Sequence, residues 1–123
     1  PLSLIDELDL KEKVYVDNEF VPNEAVGKYF QVSDSIMLFY SYATPSGVES
    51  IGYNFNMPML ATNVGHFPET VVDGFNGYLA EAEDIVSMGK AMVKSITEPI
   101  NRENVAETSR EMSWENYANE ILR

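Results

Sequence analysis

The chain contains no cysteine and a single histidine, His66. Disulfides, thiolate nucleophiles and thiolate metal sites are thereby excluded, and so is a metal centre built on several imidazoles. No apolar run approaches the roughly 20 residues that a bilayer-spanning helix needs. Cationic side chains are scarce: eight Lys and Arg stand against 20 Asp and Glu, a net charge of -12 over 123 residues. Such a balance repels nucleic acid and anionic membrane surfaces. The scarcity is also local. Between Lys28 and Lys90 there is no Lys or Arg, whereas Asp34, Glu49, Glu69, Asp73, Glu81, Glu83 and Asp84 all fall in that stretch. An anion bound there must rely on backbone N–H groups and helix N-termini. The opening Pro1-Leu2-Ser3-Leu4 has neither an initiator Met nor a basic n-region. It reads as a fragment boundary and not as a signal peptide, and a cytoplasmic location is the expectation.

What is present is a globular composition, 45% hydrophobic, of a length that suits one domain over residues 1–123. Residues 2–10 have helical spacing and read as the end of a helix; Val14-Tyr15-Val16 reads as a short strand. Asn23 is placed to cap a helix running to about Phe30. Ser35–Tyr40 and Met57–Thr62 are nearly continuous apolar runs of strand length, the mark of strands buried on both faces. A helix between them carries Val48, Ile51, Gly52 and Phe55 on one side, which leaves Glu49 facing solvent. A short helical turn is expected at Glu69–Val72, turns at Asp73-Gly74 and Asn76-Gly77, and a strand at Tyr78–Ala80. Helices are expected at about 83–97, 101–111 and 114–122. The methionines, Met88 and Met92 among them, read as core filler, and Glu81, Glu83 and Asp84 as a solvated turn with a helix cap. Short strands alternating with helices make an α/β fold with a mostly parallel, doubly wound sheet.

Ligands of such sheets bind beyond the C-terminal ends of the strands. Two segments there carry suitable chemistry. Thr44-Pro45-Ser46-Gly47-Val48 follows a buried strand and opens a helix, so Ser46, Gly47 and Val48 offer small side chains and free N–H groups to an anion. Asn63-Val64-Gly65-His66-Phe67-Pro68-Glu69 follows the next strand and brings an imidazole and a carboxylate onto a glycine-containing turn. Each has a plainer reading. The first can be an ordinary strand-to-helix turn, Glu69 a first-turn acid that complements the helix dipole, and His66 a structural histidine.

The order of residues from Ser46 to Leu79 resembles the donor-binding C-terminal domain of the group 1, retaining two-domain (GT-B) glycosyltransferases. It runs through a helix, a strand opened by Pro58, Val64-Gly65, Pro68-Glu69, a hydrophobic pair, Asp73-Gly74, Gly77 and a final strand. Val21-Pro22-Asn23-Glu24, Tyr29-Phe30, Ser33-Asp34 and Ser113-Trp114 fit the same family pattern more loosely. The resemblance implies a Rossmann-like sheet with flanking helices, without its first two strands, that holds the diphosphate of a nucleotide-sugar. Ser46, Gly47, Val48 and Glu49 with Gly65, His66 and Glu69 would then border the donor. A separate N-terminal domain would hold the acceptor, no cofactor or metal ion would be needed, and the chain by itself would be inactive. The catalytic residues are left unassigned. The family's pair of glutamates, counted back from Pro58, falls on Ala43 and Ile51; Glu49 is the nearest carboxylate, and His66 replaces a glycine common in the turn. Missing strands would sit between the strand at 14–16 and the run at 35–40 and leave an open edge able to pair with another chain. A non-catalytic nucleotide- or sugar-binding module, or a purely structural Rossmann-like scaffold, stands as the alternative.

Overall fold

The computed structural model describes residues 2–42 and 47–112. In chain order the elements are α1 (Leu2–Glu7), α2 (Asn23–Val32), β1 (Ile36–Leu38), α3 (Gly47–Asn54), β2 (Met59–Thr62), α4 (Phe67–Thr70), β3 (Gly77–Ala80), α5 (Ile85–Thr97) and α6 (Arg102–Glu111). The three strands form one parallel sheet in the order β1-β2-β3. Ile36 pairs with Met59 and Leu38 with Ala61, while Met59 pairs with Gly77 and Thr62 with Ala80. This is the Rossmann-like α/β arrangement that the alternation of short apolar runs and helices predicts.

Every residue of β2 is buried, because the middle strand of a covered parallel sheet is packed on both faces. Met59 and Ala61 point to one side, where Leu38, Tyr53, Phe67, Val71 and Val105 complete a core beneath α3, α4 and α6. Leu60 points to the other, where Tyr78, Ala80 and Ala91 pack under α5. Gly77 opens β3 where a Cβ atom would lie 1.9 Å from the carbonyl oxygen of Met59, so no side chain fits at that pairing. Asn76, read from the sequence as a turn residue, is 1% exposed. Its side chain accepts from Val72 N–H at 2.8 Å and donates to Thr70 O at 3.0 Å and Thr108 Oγ1 at 2.9 Å. That network joins the turn after α4 to α6. Asp84 caps α5 by accepting from Ser87 N–H, and Asn101 caps α6 by accepting from Glu103 N–H. Each gives an otherwise unpartnered first-turn donor its acceptor.

The structure departs from the sequence reading in several places. Val14–Val16 is not a strand; Val14, Tyr15 and Val16 are 39%, 93% and 54% exposed. β-branched residues cannot form a ladder without a neighbouring strand to accept their hydrogen bonds. The run at 35–40 is likewise buried on one face only, since β1 lies at the sheet edge and Met37 is 45% exposed. Asn23 is the first helical residue of α2 and Pro22 takes the cap position, with no side-chain cap. The short helix begins at Phe67 with Pro68 in its first turn, where a missing N–H costs nothing. Met57 and Met59 are core residues, but Met37, Met92 and Met112 lie at the surface. The helix expected at 114–122, with Ser113 and Trp114, lies outside the described residues.

Candidate functional site

At the C-terminal ends of β1 and β2 the chain leaves the sheet along neighbouring paths. Thr62 Oγ1 donates to Tyr40 O at 2.6 Å, which ties the two strand ends just past the last ladder pair. From β2 the chain turns through Asn63, Val64 and Gly65. Gly65 is exposed with φ 56, a left-handed conformation that a residue without Cβ adopts without strain. His66 follows, its ring 4.9 Å from that of Phe67, which is fully buried and lies 6.0 Å from the ring of Tyr40.

The helix that follows β1 meets this turn through a carboxylate. In α3 the buried residues are Glu49, Gly52 and Tyr53, whereas Val48, Ile51 and Phe55 are 41%, 38% and 38% exposed. The helix is therefore rotated from the apolar face expected for it, and the expectation that Glu49 faces solvent is overturned: it is 3% exposed. The reason lies in both neighbours. Gly52 lets the helix approach the sheet until a Cβ there would meet Ile36 and Met59 at 3.4 and 3.5 Å. The exposed Phe55 ring stacks on Phe30 of α2 at 5.0 Å. Glu49 is then turned inward, where its Oε2 meets His66 Nε2 and its Oε1 accepts from Thr70 Oγ1. A buried carboxylate demands such partners, because leaving it unpaired in a medium of low dielectric costs several kcal/mol or more. Beneath it Tyr53 donates its hydroxyl to Thr70 O at 3.2 Å. Burial, with the Glu49 charge adding to it, pushes the Tyr53 phenol well above its ordinary range.

Of the residues singled out from the sequence, the structure brings Glu49 and His66 into contact and sets Gly65 beside them. Gly47 and Val48 form the first turn of α3. Ser46 lies outside the described residues, as do Thr44 and Pro45. Glu69 is exposed in the first turn of α4, where its backbone N–H donates to His66 O at 2.9 Å. Thr70, Tyr53 and Asn76 were not singled out, although each ties the site to the core. Their signal was spacing: Tyr53 lies one turn after Glu49, so a buried Tyr53 carries Glu49 inward with it. The imidazole Nδ1 of His66 is buried and has no hydrogen-bond partner among the described residues. Among the described residues there is no group of three or more His, Asp or Glu side chains able to hold a metal ion. No described helix is long and apolar enough to cross a membrane.

With this geometry in place, comparison with known proteins is informative. The model of the family described as "Glycosyl transferases group 1" matches residues 2–112. No curated protein matches the chain in sequence. Among solved structures, a sucrose-phosphate synthase from Thermosynechococcus elongatus superposes with a TM-score of 0.83 at 19% identity, over 98% of this chain and 31% of that one. A lipopolysaccharide outer core galactosyltransferase, WaaB, in its apo form superposes with a TM-score of 0.78 at 12% identity, over 98% of this chain and 36% of that one. At these identities the likeness is one of fold. The chain spans about a third of the length of either protein.

Proposed function

The chain belongs to the group 1 glycosyl transferase family, and on that premise we propose that it is the donor half of an enzyme that moves a hexosyl group from a nucleotide-sugar to an acceptor hydroxyl. The observation that carries this reading is the junction just described. Two strand-to-helix connections leave the same end of a parallel sheet side by side, joined by Thr62–Tyr40 and Glu49–His66, at the place where open α/β sheets take their ligands. Of the solved neighbours described above, one is named a galactosyltransferase and the other a sucrose-phosphate synthase. Galactosyl transfer to lipopolysaccharide by one of them supports, for this chain, a role in surface polysaccharide or glycan synthesis.

In this reading the N–H groups of Ser46, Gly47 and Val48 hold the diphosphate, Gly65 admits it close to the backbone, and His66 borders the nucleotide. Glu69 is free to accept a hydrogen bond from a sugar or ribose hydroxyl. The bond from the anomeric carbon to the diphosphate oxygen breaks, one to the acceptor oxygen forms, and the acceptor proton is lost to a base on a separate acceptor-binding domain. Negative charge grows on the departing diphosphate, and amide dipoles already aimed at it stabilise that charge without reorganising. The open edge of β1 is where further strands of the same domain, or a second copy, would pair. A non-catalytic binding module is the second reading, favoured by Ala43 and Ile51 standing where the family's glutamates would fall.

Calorimetric titration of the full-length protein with UDP, GDP, ADP and the corresponding nucleotide-sugars tests both. We expect one nucleoside diphosphate to bind and Glu69→Ala, which removes the acceptor, to weaken it. No binding by any of them overturns the donor-site reading, and binding without sugar release to any acceptor leaves the second.

A further inference from the structure

We infer that Glu49 is a positioning residue of the donor site: it never meets the donor, and acts by clamping the His66 turn onto the first turn of α3. This rests on the donor-site reading above. Both carboxylate oxygens are already engaged, Oε2 with His66 Nε2 and Oε1 with Thr70 Oγ1, and only 3% of the residue is exposed, so nothing remains of it to reach a ligand. Glu49 and its partners belong to two different strand connections. Glu49 itself sits in the first turn of α3, while His66 precedes α4 and Thr70 ends it. One side chain thus fixes the spacing between the amide groups at the start of α3 and the Gly65–His66 turn. That spacing matters if both segments face one diphosphate, because displacements of about 1 Å in a bound geometry cost large factors in binding and rate.

The contact also fixes the imidazole. With a proton held between Nε2 and Oε2, the ring cannot rotate about its bond to Cβ, and ring packing on Phe67 sets its tilt. The other ring nitrogen is consequently directed inward, buried and without a partner among the described residues. The acid in the first turn of α3 also complements the helix dipole, so its removal changes the potential at those amides as well as their position.

A double-mutant cycle in the full-length protein decides the matter, read as the Kd for whichever of UDP, GDP or ADP the parent binds. Glu49→Ala and His66→Ala are each expected to weaken binding about ten-fold, the size of a typical coupling between contacting residues, and the double variant no further than either alone. Glu49→Gln, which keeps an acceptor for His66 and a partner for Thr70, is expected to stay within about three-fold of the parent. If Glu49→Ala does not fold, the cycle is run with His66→Ala and Glu49→Met, which keeps the volume of the side chain without its acceptors, and the same non-additivity is expected. Effects that add across the cycle make Glu49 a direct ligand and overturn the inference. So does a lowered Tm with Kd unchanged, which makes the cluster merely structural. A parent that binds none of the three nucleotides overturns the donor-site reading itself, an outcome distinct from binding that is indifferent to Glu49.

Discussion

The β2–β3 half of the sheet and the β1 edge, with the chain before it, are built to different standards. Around β2 both faces are covered and Asn76, a polar side chain with almost no exposure, has every hydrogen-bonding group matched. Around β1 one flank is bare. Met37 is half-exposed, residues 11–20 are exposed throughout, and a groove of about 500 Å3 opens between Met37, Leu60, Met92, Ile96 and Ile100. The sequence is as apolar on one side as on the other. What differs is whether a neighbouring element is present to receive the apolar surface, which is a property of the assembled sheet and not of the strand.

That contrast can be broken by substitution. The largest effect is expected from Leu60→Ala, which empties a fully packed position in the central strand and should cost about 2–5 kcal/mol by chemical denaturation; less than 1 kcal/mol would mean the two halves are equally loose. Asn76→Ala should cost about 1–3 kcal/mol, since it removes three hydrogen bonds made by a buried side chain, those with Val72 N–H, Thr70 O and Thr108 Oγ1. Tyr53 sharpens the comparison through pH. Its phenol is held protonated beyond the ordinary value of about 10. The folded state therefore keeps this contribution below pH 10 and loses stability as pH rises above it, because only the unfolded chain releases the proton. Tyr53→Phe should flatten the fall in stability measured between pH 9 and 11. The smallest effect belongs to the other half. Tyr15→Ser should change stability by no more than about 0.5 kcal/mol, the range of surface substitutions, and a larger loss would reveal packing there.

Much of the fold was legible. The runs around Leu38, Met59–Thr62 and Tyr78–Ala80 are strands because uninterrupted apolar residues of that length require two covered faces, and they all have them in part or in full. Val14–Val16 has the same composition and no ladder, since composition cannot report whether a partner strand lies alongside. The candidate site was half-legible. Gly65 and His66 announced themselves by type, and both stand at the strand ends. Hydrophobic periodicity alone turns Glu49 to solvent, and it is buried. A helix face can be buried around a carboxylate when an imidazole and a hydroxyl wait on the opposite wall, and those partners, His66 and Thr70, come from a segment 17 and 21 residues away.

Two glycines close together are guarded by different physics. At Gly74 a Cβ would touch nothing, yet φ is 83 and only torsional preference bars a larger residue. A slightly strained asparagine is tolerable there. At Gly77 the obstacle is the wall of the adjacent strand, which yields to no rotamer. Evolution or a designer can negotiate with the first position; the second is closed to every chiral amino acid for as long as β2 and β3 keep their present alignment.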